Sequence, residues 1–235
     1  MIGTVKNIRD AFKGMLMAED FTIDKTGAKT IELIGTSFLA NEPAIFGEPS
    51  KEYIAKEIKW YESQSTNIND IYGKERDAPA AWKYAADEYG NINSNYGKLI
   101  FSDEYHNQFT NVCKELLNNP DGRRAEMVYN RPSIWAEYNK GHDKWGDGGM
   151  SDFICTNAVT YYIRNSMVHC VVQMRSNDVV FGYKNDYAWQ QWVLEAVVNN
   201  VNADSEPEDN EVFVGNIYWQ VQNLHVYEKH FALVK

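Results

Sequence analysis

Residues 153–163 and 167–174 of this 235-residue chain are two runs of β-branched and aromatic side chains separated only by Arg164, Asn165 and Ser166. So short a connection forces an antiparallel hairpin, because a parallel return needs a crossover of a dozen residues or more. A lone hairpin is marginal in water, so further strands must join it. The alternation over 29–34 predicts one, after a turn at Asp24-Lys25-Thr26-Gly27, and 212–227 predicts one or two more. Between them the apolar period is helical. A helix is expected over 5–17 through Ile8, Phe12, Met15 and Leu16, and another over 50–62 with Tyr53, Ile54, Glu57, Ile58 and Tyr61 on one side. Two more are expected over 104–118, stopped by Asn119-Pro120-Asp121-Gly122, and over 187–199. Helices and strands do not alternate regularly, which predicts an α+β fold around a large mixed or antiparallel sheet. A chain that is 44% hydrophobic and 24% charged can close one sizeable core, so a single domain over 1–235 is expected.

A net charge of -10 argues against direct nucleic-acid or anionic-membrane partners, since such a field repels phosphate unless basic residues are gathered locally. No apolar run approaches the length of a membrane span. The N-terminus lacks an export signal, and three cysteines, Cys113, Cys155 and Cys170, show no zinc spacing; a reducing cytoplasm is the expected compartment and no metal site is expected. The phosphate-cradling, dinucleotide, esterase and zincin motifs are all missing. The glycine-rich stretch 141–149 reads as a flexible loop rather than a calcium loop, and the acidic stretch 202–211 as a solvated one.

The remaining chemistry sits on a few side chains. The hairpin can bring Cys155 beside Arg175, at the end of the next strand, where a guanidinium would lower the thiol pKa and make the sulfur a usable nucleophile. A buried structural cysteine is the competing reading. Glu57 falls on or beside the buried side of its helix, an unusual place for a carboxylate and one that raises its pKa towards neutrality. Cys113, Cys170 and His169 read as structural.

Six segments, taken in order, carry a pattern: Glu57-Ile-Lys-Trp60 with Thr66-Asn67, Tyr96-Gly-Lys98, Asn119-Pro-Asp-Gly-Arg-Arg124, Cys155, RSNDVVFG at 175–182, and His225-Val-Tyr227 with His230. Together they resemble the thymidylate synthase family, and Asp24-Lys-Thr-Gly27 resembles that family's DRTG loop with lysine for arginine. The resemblance covers about residues 22–230 and implies the fold of that family, a sheet-to-sheet homodimer, and a folate-dependent one-carbon transfer to a pyrimidine nucleotide. Where the synthases carry an asparagine four residues after the motif's glycine, this chain has Asp186. Asparagine pairs with the donor and acceptor of uracil. A protonated carboxyl matches the acceptor and amine donor of cytosine, or a carboxylate pairs with cytosine protonated on the ring. Within the family the chain therefore looks most like the bacteriophage branch that acts on dCMP.

The resemblance implies roles residue by residue. Cys155 adds to ring carbon 6, Glu57 relays protons and positions water, Tyr96 lies near the thiol, and Asp186 reads the base. Lys25, Arg175 and Ser176 hold the 5′-phosphate, joined by Arg123 and Arg124 from the other subunit. His225 and Tyr227 bind the 3′-hydroxyl; Asp178, Trp82, Phe181 and Gly182 meet the folate. The implied cosubstrate is 5,10-methylenetetrahydrofolate, without a metal, and the implied product is 5-hydroxymethyl-dCMP, with a phage nucleotide-synthesis or replication complex as a possible setting. Thr156 stands where synthases commonly have histidine and Asn223 where they have aspartate, and only eight residues follow Tyr227, which suggests a site open to water. Alternatives are methylation or hydroxymethylation of dUMP, or a protein that binds nucleotide without turning it over.

Overall fold

The structure is a computed structural model that describes residues 2–23, 27–138, 150–205 and 211–234. In chain order its elements are β1 (Gly3–Thr4), α1 (Val5–Met17), β2 (Thr22–Ile23), β3 (Lys29–Leu39), α2 (Lys51–Glu62), α3 (Ala80–Ala85), α4 (Tyr96–Phe101), α5 (Gln108–Asn118), β4 (Glu126–Val128), α6 (Ile134–Glu137), β5 (Thr156–Arg164), β6 (Met167–Met174), β7 (Asn177–Asp178), α7 (Gly182–Asp204), β8 (Phe213–Tyr227) and α8 (Phe231–Val234). The strands form one mixed sheet in the order β1-β3-β8-β6-β5-β4, with β2 added to β3 and β7 to β8. Pairing of β6 with β8 is parallel, whereas β5 with β6 and β3 with β8 are antiparallel.

The hairpin of β5 and β6 closes through Asn165 and Ser166, at φ of 53° and 58°. Both residues take the left-handed conformation that lets a two-residue turn follow the strand twist. Period-two burial then sets the register. Val159 and Tyr161 lie opposite Val172 and Cys170, which lie opposite Trp219 and Ile217, and all are buried on one face. Tyr162, Val171, Gln173, Tyr218 and Gln220 alternate with them and line the other face. α7 crosses the covered face and buries Trp189, Val193, Leu194, Val197 and Val201. Each such side chain contributes roughly 1.5–3 kcal/mol by leaving water.

Several expected boundaries move. The strand expected over 29–34 runs on to Leu39, because Gly35 takes a φ of 69° inside it without ending it. Buried apolar positions of β8 change there from odd, through Val221, to even, at Leu224 and Val226. The helix expected from 104 begins at Gln108, since His106 and Asn107 both take positive φ and break a short 3-10 turn from α5. α7 is longer than the expected 187–199 at both ends and takes in the first residues of the acidic stretch, while 206–210 lie outside the described residues, as does the loop at 141–149. The last strand is one continuous element. Among the described residues no helix is long and apolar enough to cross a membrane.

Candidate active site

The sheet brings three separate stretches of chain side by side at one end of β6. Arg175 N donates to Cys155 O at 2.9 Å, and Asn223 N donates to Arg175 O at 3.2 Å. Beyond them β7 pairs with β8, with Asn177 opposite Leu224 and Asp178 opposite His225. Cys155, Arg175, Asp178 and His225, far apart in sequence, thus share one sheet end. Cys155 sits at a bend just before β5 rather than within a strand, next to a bulge between Thr156 and Ala158. The stretch ahead of it is pinned by Asp152, whose carboxylate accepts from Asn93 N, Ser94 N and Ser94 Oγ at 2.7 Å each.

Helices supply the rest. Gly97 lets α4 lie directly on the end of α2: a Cβ there would fall 1.8 Å from Tyr61 O. Asn95 Nδ2 fastens the same joint by donating to Trp60 O and Ser65 O at 3.1 and 2.7 Å. This joint sets Tyr96, buried and stacked on Tyr61, beside Cys155 and Asp186, whose negative charges help push its phenol well above the usual range after burial itself.

Arg175 is half-buried and aimed at the sulfur. Its Nε and Nη2 donate to Ile154 O and Phe153 O at 3.0 and 2.5 Å, and Nη2 stands 3.5 Å from Cys155 Sγ. The guanidinium pulls the thiol pKa down as expected. Burial outweighs it, and with the Asp186 and Asp152 carboxylates the thiol is pushed up to about 11. The expected depression is therefore reversed, because a thiolate at this half-buried spot loses more hydration than one guanidinium returns.

Glu57 is buried, as its place on the helix predicts. Tyr53 donates its hydroxyl to Glu57 Oε1, and the Trp82 indole N–H reaches the same oxygen at 3.2 Å and Tyr53 Oη at 2.9 Å. Burial raises the carboxyl to about 7 against the pull of these two donors. Asp186, on the second turn of α7, is raised to about 8, first by burial and then by the charge of Glu57. Its Oδ2 accepts from Asn177 Nδ2 at 2.7 Å. The charge of Glu57 reaches Asp186 and that of Asp186 reaches Cys155, so the buried Glu57 and the half-buried Asp186 both hold a proton up to near-neutral pH.

Asp178 has a local task in addition to any ligand contact: its Oδ1 accepts from Val180 N and Phe181 N at 2.8 and 2.6 Å and shapes the turn that leads into α7. Phe181 is 54% exposed, edge-on to His230. His225 is buried with Nδ1 3.1 Å from Asn223 Oδ1, and burial lowers its pKa, so its ring is neutral. Tyr227 packs edge-on to it. Ser176 is half-buried beside Arg175, and Lys25 lies outside the described residues. Arg123 and Arg124 are exposed beyond α5; Arg124 pairs with Glu115 at 3.0 Å, and among the described residues neither bonds to Arg175. Two residues that motif reading leaves without a role belong to the cluster. Tyr53, four residues before Glu57, was visible in the helical spacing. Asn177, inside RSND, was not, because its contact depends on the turn between β7 and α7.

The Thymidylate synthase family model matches residues 10–235. The deoxycytidylate 5-hydroxymethyltransferases of Enterobacteria phages T4 and T2 are each 48% identical over 231 residues, 98% of this chain and 89% of theirs. A thymidylate synthase of Francisella tularensis is 24% identical over 184 residues, 77% of this chain and 63% of its own. The crystal structure of thymidylate synthase from T4 phage superposes with a TM-score of 0.72 at 20% identity, covering 97% of this chain and 78% of that one, a likeness of fold.

Proposed function

We infer, from the premise that the chain belongs to the thymidylate synthase family, that it transfers a one-carbon unit to carbon 5 of dCMP and adds water, releasing 5-hydroxymethyl-dCMP. The observation that carries the substrate is Asp186. It is close enough to raise the Cys155 thiol by its charge, and burial keeps it protonated below about pH 8. A protonated carboxyl offers the donor and acceptor that the cytosine edge requires.

Bound folate, as 5,10-methylenetetrahydrofolate, supplies the carbon at the oxidation level of formaldehyde and leaves as tetrahydrofolate, unoxidised. The half-exposed Phe181 ring and the second oxygen of Asp178 are suited to hold it. Cys155 loses its proton and bonds to ring carbon 6, which makes carbon 5 nucleophilic. Arg175 steadies the thiolate, and at neutral pH the protonated Asp186 adds no opposing charge. Once carbon 5 has taken the carbon and given up its proton to water, and the bond from that carbon to the folate nitrogen has broken, water adds to the exocyclic methylene left on carbon 5. Glu57, held near pH 7 by burial, accepts the water's proton. Expulsion of the Cys155 thiolate restores the aromatic ring.

Arg175 and Ser176 would bind the 5′-phosphate, joined by Lys25, which lies outside the described residues. His225 and Tyr227 take the sugar hydroxyl, the neutral imidazole serving as donor or acceptor. The exposure of Arg123 and Arg124, and a sheet face bearing Tyr162, Val171 and Tyr218, fit a homodimer packed sheet to sheet in which these arginines complete the partner's phosphate site. The product would feed hydroxymethylated cytosine into phage DNA in the host cytoplasm, within a nucleotide-synthesis complex.

Mass spectrometry of dCMP mixed with the protein and methylenetetrahydrofolate tests this directly. A product heavier by a hydroxymethyl group is expected; a methylated product or unchanged dCMP overturns the assignment. Asp186→Asn should move the kcat/KM preference towards dUMP by about 10³-fold or more, since an unmatched buried polar group is heavily penalised.

A further inference from the structure

We infer that Asn177 is a specificity-determining positioning residue: by donating to Oδ2 of Asp186, its side-chain amide leaves Oδ1 as the oxygen that can carry a proton, so that a carboxyl able to match either pyrimidine reads only cytosine. This deepens the dCMP reading and rests on Asp186 being the base-reading group.

A neutral carboxyl is two-faced. With the proton on one oxygen it meets cytosine, donating to ring nitrogen 3 and accepting from the exocyclic amine. With the proton on the other it meets uracil, accepting from nitrogen 3 and donating to the carbonyl. Aspartate alone, once protonated, therefore gives little discrimination. The Asn177 amide removes the symmetry. Its Nδ2 stands 2.7 Å from Asp186 Oδ2, so that oxygen must act as an acceptor. The proton is left on Oδ1, and with that oxygen set against ring nitrogen 3, as the inference requires, Oδ2 accepts from the exocyclic amine. Uracil would require a hydroxyl hydrogen on Oδ2, against an amide N–H already directed there.

The surroundings are built for this contact. Asn177 is 3% exposed and fixed in β7 opposite Leu224. Gly182 leaves space for it: a Cβ there would fall 3.0 Å from Asn177 Nδ2 and 3.7 Å from Asp186 Oδ2. The other end of the amide, Oδ1, is buried with no hydrogen-bond partner among the described residues. An orphaned buried acceptor is costly, so an apolar side chain would serve packing better. Burial also keeps Asp186 protonated at neutral pH, the state in which the choice of oxygen matters.

Equilibrium binding of dCMP and dUMP to the unmutated protein, Asn177→Ala and Asn177→Leu tests the inference, with melting curves to confirm folding. The variants should bind dUMP about tenfold more tightly than the unmutated protein, and the dCMP-to-dUMP ratio should fall at least tenfold. A purely structural role predicts weaker binding of both nucleotides with the ratio kept, and that result overturns the inference. A third measurement needs no substitution. The 2-pyrimidinone nucleotide, with an acceptor at nitrogen 3 and no group at carbon 4, should bind the unmutated protein more tightly than dUMP. Equal or weaker binding than dUMP would also overturn it. If the unmutated protein does not convert dCMP to its hydroxymethyl derivative, the functional reading fails. If it does and the ratios stay fixed, only the role of Asn177 fails.

Discussion

At the scale of single residues, this site puts acids where water is scarce. Glu57 rises from the ordinary 4.5 to about 7 because burial penalises its charge. A carboxyl that holds its proton more tightly folded than unfolded stabilises the fold fully below about pH 4.5 and loses that contribution as pH rises through 7. Glu57→Gln keeps an acceptor for Tyr53 and Trp82 but cannot ionise. Its melting temperature should overtake that of the unmutated protein between pH 5 and 8, by the equivalent of about 3 kcal/mol, while hydroxymethylation falls about 10²-fold or more for want of a proton acceptor. A gain that is the same at every pH would refute the ionisation argument. Cys155 gives the second test. Cys113 and Cys170 are buried, so alkylation reports Cys155. Without nucleotide its labelling rate should climb towards pH 11 rather than level off below 8. Cys155→Ser should suppress tritium release from carbon 5 of dCMP by about 10³-fold or more. The motifs named side chains that the fold brings near one another, Arg175 and Tyr96 to Cys155 and Glu57 to Asp186. They did not show the sign of the thiol shift, because charges can be read from a sequence and desolvation cannot.

At the scale of elements, the site depends on how closely α4 approaches α2. The Gly97 backbone lies against Tyr61 O so tightly that an added Cβ would overlap it at 1.8 Å. Gly97→Ala must part the two helices, which carry Tyr96 and Glu57. We expect a loss of about 1–3 kcal/mol in denaturant unfolding, together with weaker turnover. Unchanged stability would mean that the joint yields without cost. Element identity was legible wherever burial has a clean period. The β5–β6 hairpin followed from a short polar link between two apolar runs, and α2 from its apolar stripe. Ends were less legible because they depend on single contacts. α7 starts at Gly182, just after a turn that Asp178 holds through Val180 N and Phe181 N, and β3 continues past Gly35 because β8 pairs with both sides of the kink. A glycine in a strand pattern reads as an end when no partner strand is in view.

At the scale of the whole molecule, the phosphate site needs cations from more than one part of the chain. Arg175 is already committed to the Phe153 and Ile154 carbonyls, and a chain of net charge -10 needs more cations to hold a phosphate dianion. Arg164 Nη2 donates to Asp121 O at 3.3 Å and steadies the turn before Arg123 and Arg124, at the β4 side of the sheet, where both are exposed and Arg124 pairs with Glu115 rather than with Arg175. In a two-fold dimer each arginine pair can serve the other subunit's site, which makes the proposed sharing testable by mixing two inactive proteins. One carries Cys155→Ser; the other carries Arg123→Ala and Arg124→Ala. If the arginines act across the interface, a mixed dimer holds one site with an intact cysteine and intact arginines, and the other site lacks both. Equal mixing and exchange should then restore about one quarter of the unmutated activity. If the arginines act within their own subunit, every site in every dimer lacks a part and mixing restores nothing.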